Sequence, residues 1–158
     1  MIAVALLTAI HVWQTRNIPL GIAPHFNGQT LDGSVFDLET WRREHPGKAV
    51  LIYFWAEWCA ICKTTAGSVS SIQQDWPVIS IAMQSGAASA VAETMRQRAY
   101  AWSTIADPDA EIFRRYGLHG VPAFVIIAPD GNIRAATLGY TSEIGLRLRL
   151  WWAQRNTT

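Results

Sequence analysis

Residues 49–56 read Ala-Val-Leu-Ile-Tyr-Phe-Trp-Ala, eight apolar or aromatic positions without a charge. A run this long, rich in β-branched and aromatic side chains, offers water no polar face. It predicts a strand buried on both sides in the middle of an α/β sheet. A second such strand is expected at 78–83 and a third at 123–128, closed by Pro129-Asp130-Gly131 and paired with an antiparallel strand at 133–138. A short strand is expected at 103–106. Between the strands the period lengthens to that of helices, with Val69, Ile72 and Trp76 in and after 63–74, and Val91, Met95 and Ala99 in 87–100. Asp107-Pro108 opens a further helix running through Tyr116, with Ile112 and Phe113 inward. Ahead of the central run, Leu31-Asp32-Gly33-Ser34 marks a β-hairpin within 26–36, and residues 37–44 a short helix ended by Pro46-Gly47. At the other end Thr141 or Ser142 caps a last helix carrying Ile144, Leu148, Trp151 and Trp152 on one face. This alternation means a central mixed sheet with helices on its faces.

At 158 residues, half of them apolar, the chain has the length of one domain and can bury a full core. The formal net charge is +1 and the cations are scattered, as in Arg42/Arg43 and Arg114/Arg115, so no nucleic-acid partner is expected. Residues 2–13 are almost wholly apolar, interrupted by Thr8 and His11. A spanning helix needs ~20 apolar residues, which this stretch does not supply. No basic residue precedes it and no small-x-small cleavage site follows. Residues 1–15 therefore read as the remnant of a signal anchor, 16–24 as a linker and 25–158 as the domain. A short helix packed on the domain is the alternative, and Arg16 weighs mildly against an outward-facing domain.

There are two cysteines, Cys59 and Cys62, spaced C-x-x-C. Two thiolates do not complete a structural zinc site, and His11, His25, His45 and His119 add no ligand spacing, so no metal or cofactor is expected. A chain this long needs no disulfide staple. A redox pair is the main reading that remains. The pair sits where the central strand turns into a helix, which puts Cys59 at the helix N-terminus. Unsatisfied N–H groups and the helix dipole favour a thiolate there. Cys62, one turn deeper, is placed to attack a mixed disulfide formed at Cys59.

The segment Trp55-Ala56-Glu57-Trp58-Cys59-x-x-Cys62-Lys63, followed about sixty residues later by Gly120-Val121-Pro122-Ala123-Phe124, resembles the two marks of the thioredoxin-like family. The resemblance covers about residues 22–154. It implies a thioredoxin fold with an N-terminal β-hairpin and a central helix–strand insertion over 87–106. It also implies a cis Val121–Pro122 bond facing the cysteines, where an extended substrate pairs with a backbone edge; the plainer reading of Pro122 is a strand-entry proline. The hairpin and insertion are most similar to the TlpA/ResA/DsbE-like branch, and within it to the suppressor-for-copper-sensitivity D type. Members are bacterial and mostly membrane-anchored or periplasmic. The chain departs from the pattern at Tyr53, where thioredoxins carry a buried Asp, at Thr65, where the branch often has Glu, and near Gly67, where a helix-kink proline is missing. Glu57 then becomes the nearest acid in sequence and a candidate proton relay, against the plainer reading of a solvated loop charge. Trp58 is expected to wall the substrate groove with Val121 and Pro122, and Trp55 to fill core.

The expected function is a thiol–disulfide oxidoreductase, N-terminally anchored on the periplasmic side of the bacterial inner membrane. It exchanges disulfides with protein thiols, works with a membrane redox partner and leans to reduction. The alternatives are a disulfide-donating oxidase, a Cu(I)-holding module and a redox-inactive binding module. A two-thiolate copper site has no use for Pro122.

Overall fold

The computed structural model of the protein describes residues 21–156, and the apolar stretch read as a signal anchor lies outside them. Among the described residues, eight strands and five helices follow the expected alternation. They are β1 (Gly21–Ile22), β2 (Asn27–Gln29), β3 (Val35–Asp37), α1 (Leu38–Arg43), β4 (Val50–Trp55), α2 (Ala60–Ile72) and β5 (Val78–Met83). Then come α3 (Ala88–Gln97), β6 (Ser103–Asp107), α4 (Glu111–Arg115), β7 (Ala123–Ile127), β8 (Asn132–Leu138) and α5 (Glu143–Arg155). Six strands form one mixed sheet in the order β1-β8-β7-β4-β5-β6, and β2 pairs with β3 as the hairpin. β4, β5 and β6 run parallel, while β7, β8 and β1 are antiparallel to their neighbours. This is the thioredoxin fold with an N-terminal hairpin.

Every residue of β4, β5 and β7 is buried, as strands covered on both faces must be. α2 packs on α5 and α5 on β7 and β8, while α3 packs on β6 and α4 on β5 and β6. Two elements differ from expectation. Gly21–Ile22, within the stretch read as a linker, pairs with Asn132 and Ile133 at the sheet edge. α4 starts later than Asp107-Pro108 because Ala110 takes a left-handed φ of 54°; the Asp107 carboxylate instead accepts from the amides of Glu111, Ile112 and Phe113.

In α5, Ile144, Leu148, Trp151 and Trp152 share a face as expected; it points outward, and Leu146, Leu150 and Ala153 pack inward. The helix carries two apolar stripes. The inner one holds the small Ala153, which admits close approach to the sheet. Polar contacts accompany it: Glu143 accepts from Ser71, and Arg147 pairs with Asp75.

Candidate functional site

β4 delivers Trp55 to the edge of the core, where it is 1 % exposed and its indole N–H donates to Ser80 Oγ at 3.1 Å. The chain then turns, and Cys59 becomes the N-cap of α2 with an extended backbone. Its sulfur accepts the Cys62 N–H at 3.1 Å, one of the donors that a helix start leaves without a backbone partner. Cys59 and Cys62 are joined as a disulfide with Cα atoms 5.3 Å apart. Both sulfurs sit in a nearly closed surface, Cys59 6 % and Cys62 3 % exposed.

The antiparallel register of β4 and β7 places Ala123 opposite Phe54, so the residues ahead of β7 lie against the cysteine loop. The Val121–Pro122 bond is cis. The Val121 carbonyl oxygen lies 3.7 Å from Cys59 Sγ, and Pro122 is buried while Val121 is half-buried. The second motif of the sequence therefore meets the first in space.

Trp58 is 60 % exposed and Ile61 49 %, so the rim of the pair is apolar and open to solvent. Trp58 is nevertheless held, because its indole N–H donates to the Gln84 carbonyl at 3.1 Å. Gln84 adopts a left-handed φ of 45°, which turns the chain after β5. The next residue accepts the Glu57 N–H on Ser85 Oγ at 2.9 Å, and Arg98 of the loop after α3 donates to the Glu57 carbonyl at 3.1 Å. The Glu57 carboxylate faces Arg98 at 3.9 Å and makes no hydrogen bond to either cysteine among the described residues. The side chain read as a candidate proton relay is thus engaged with Arg98, in a clamp on the Trp58 loop. The cause lies in the chain direction: Glu57 precedes the turn that aims Cys59 inward.

Beneath the pair lies a contact that sequence reasoning missed. The Tyr53 hydroxyl donates to the Cys62 carbonyl at 3.2 Å and meets Thr65 Oγ1 at 3.2 Å. Thr65 Oγ1 lies 3.1 Å from the same carbonyl. Burial pushes the Tyr53 hydroxyl well above its ordinary pKa, partly offset by the Thr65 hydrogen bond. It remains a neutral donor, and Tyr53 and Thr65, two of the positions where the chain departs from the resembled pattern, hold a pair of hydroxyls. Tyr53 also stacks on Phe124 with centroids 5.0 Å apart, tying the cysteine helix to the strand behind Pro122. Both positions were visible as departures from the family pattern. That they touch depends on the register of β4 against α2, which a linear pattern does not carry. Gln84, Ser85 and Arg98 had no sequence signal.

Known proteins agree with this geometry. The model of the AhpC/TSA family matches residues 21–136. A thioredoxin-like protein of Haemophilus influenzae is 32 % identical over 127 residues, covering 80 % of this chain and 74 % of its own. The structure of a secreted Mycobacterium tuberculosis disulfide oxidoreductase homologous to Escherichia coli DsbE superposes with a TM-score of 0.66 at 25 % identity, over 80 % of this chain and 95 % of that one. A putative thiol:disulfide interchange protein DsbE from Chlorobium tepidum shares the fold, with a TM-score of 0.75 at 20 % identity over 87 % and 99 % of the two chains. With its cysteine pair intact at the head of α2, the chain belongs to the AhpC/TSA family as a thioredoxin-like thiol–disulfide oxidoreductase.

Proposed function

We propose that the chain reduces or exchanges disulfides of protein partners outside the cytoplasm, with Cys59 as the attacking sulfur and Cys62 as the resolving one. The observation that carries this is the Cys62 N–H on Cys59 Sγ, at a helix start and beside Val121. In the reduced protein the Cys59 thiolate attacks one sulfur of a substrate disulfide. That S–S bond breaks, a mixed disulfide forms, and the released substrate thiolate takes a proton. Cys62 then loses its proton and attacks Cys59 Sγ. The internal disulfide closes, and the second substrate thiolate leaves and is protonated in turn. The substrate gains two electrons and the Cys59–Cys62 pair loses them, so a dithiol reductant, in this reading a membrane redox partner, must restore the pair. Trp58, Val121 and Pro122 border the groove in which an extended substrate lies against the backbone edge.

The location is inferred from the apolar residues 2–13 and from the similar mycobacterial protein, which is described as secreted. Residues 1–15 are taken as the tether. No helix among the described residues is long and apolar enough to cross a membrane.

Expression of Cys62→Ser in cells tests the assignment. Mixed disulfides through Cys59 should accumulate and be identifiable by mass, and Cys59→Ser should trap none. Equal trapping by both variants, or trapping by Cys59→Ser alone, contradicts it. A fusion of the native gene's N-terminus to a reporter active only outside the cytoplasm should be active; silence contradicts the location.

A further inference from the structure

The outer face of α5 has no role in the fold, yet it is the most apolar surface on the helix. Ile144, Leu148, Trp151 and Trp152 are 71, 62, 49 and 49 % exposed and run in line along it. The core contacts of the helix are made by Leu146, Leu150 and Ala153. A continuous exposed apolar ridge of this kind marks an interaction surface.

Its border is cationic. α5 carries Arg147, Arg149 and Arg155 against the single acid Glu143. Arg147 is committed to Asp75 and Glu143. Arg149 donates to the Gly145 carbonyl, and Arg155 lies over the Trp151 ring at 4.3 Å. Among the described residues neither of these two pairs with a carboxylate. The ridge is bordered by two open grooves, one along Gly145, Leu148, Arg149, Trp151 and Trp152 and one along Trp76, Ile144, Arg147, Leu148 and Trp151. Two adjacent tryptophans with arginines beside them, on an exposed apolar stripe, are residue types suited to a lipid headgroup layer.

We propose that the outer face of α5 docks on an anionic lipid surface, Trp151 and Trp152 entering the headgroup region and Arg149 and Arg155 meeting lipid phosphates. The placement is compatible with catalysis. Glu143 and Arg147 grip Ser71 and Asp75, at the far end of α2 from Cys59. Ser71 lies about 18 Å from Cys59 along the helix axis at ~1.5 Å per residue, so the end of α2 that α5 grips is remote from the disulfide. One weak apolar contact gives only reversible membrane binding and two give stable attachment. In this scheme, which rests on the location proposed above, the apolar residues 2–13 would supply one contact and α5 the other. The proposal concerns a surface remote from the sulfurs and stands whether or not the redox assignment holds.

The test is oxidative footprinting of the full chain, read by peptide mass spectrometry at Trp151 and Trp152 with Trp58 as internal control. Vesicles of phosphatidylcholine with phosphatidylglycerol should slow oxidation of Trp151 and Trp152 several-fold and leave Trp58 unchanged. Arg149→Gln/Arg155→Gln should bind these vesicles about 30-fold more weakly at low salt, each cation near an anionic surface contributing about fivefold. Unchanged oxidation with vesicles overturns the proposal, as does unchanged binding by the double variant. Protection without vesicles overturns it too. If that protection persists on dilution, the face is covered by the chain's own segment; if it is lost on dilution, by a second copy.

Discussion

The Cys59 sulfur meets three neighbours: its partner sulfur, the Cys62 N–H at 3.1 Å and the Val121 carbonyl at 3.7 Å. Upon reduction the last two act in opposite senses. The N–H and the helix start favour a thiolate, whereas a carbonyl oxygen favours a thiol that can donate to it. Ala60 and Ile61 add no further donor side chain or cation. The Cys59 pKa is therefore expected below the ordinary ~8.5 without reaching the extreme values of strong oxidases. Behind the pair, Tyr53→Phe removes a buried donor to the Cys62 carbonyl while Thr65 keeps its own contact. The oxidised variant should lose about 1 kcal/mol in urea denaturation. Because burial keeps the Tyr53 hydroxyl protonated, this loss should be the same at neutral and mildly alkaline pH. A loss that changes with pH over that range contradicts the reading of Tyr53 as a permanently neutral donor.

Among the elements, the strands were legible because burial on both faces leaves a continuous apolar run, and β4, β5 and β7 lie where such runs do. The N-cap of α2 was legible too, since a redox pair directly after a buried strand has one place to sit. The rotation of α5 was not. Two apolar stripes on one helix satisfy the same period, and the stripe that packs inward is the one whose Leu146, Leu150 and Ala153 are fully buried, a fit that a linear pattern does not carry. Stability should report that fit. Leu150→Ala, at a fully buried position, should cost about 2–5 kcal/mol. Leu148→Ala, 62 % exposed, should stay within about 0.5 kcal/mol in the same denaturation experiment. Reversal of that order contradicts the observed face. At α1 the cap Asp37 has its pKa lowered, first by the Thr40 backbone N–H. A carboxyl lowered on folding stabilises the native state above its unfolded pKa of ~3.9, and the effect fades as pH falls through the lower folded value. Asp37→Asn should flatten the acid limb of the stability–pH curve. An acid limb as steep as that of the wild type contradicts the cap.

For the whole molecule, the sheet order is what brings Val121 and Pro122 against a cysteine loop some sixty residues earlier. The pairing of the two motifs was legible only through the family resemblance, because no periodicity places β7 beside β4. The support of Trp58 by Gln84, Ser85 and Arg98 was not legible at all, since it joins three loops. The resulting environment stabilises a thiolate moderately, so the pair should have a reduction potential between those of DsbA, near −120 mV, and thioredoxin, near ~−270 mV, and nearer the latter. Equilibration with glutathione measures it, and a potential near that of DsbA contradicts the lean to reduction and favours a disulfide donor.

The central claim, that Cys59 is the thiol that attacks, is tested most directly by alkylating the fully reduced chain with limiting iodoacetamide across pH and locating the adduct by peptide mass. The account predicts modification at Cys59 first, with a rate that rises through a pKa below ~8.5, and Cys62 protected until the protein unfolds. Faster modification of Cys62, or equal rates at both with an ordinary thiol pKa, contradicts it.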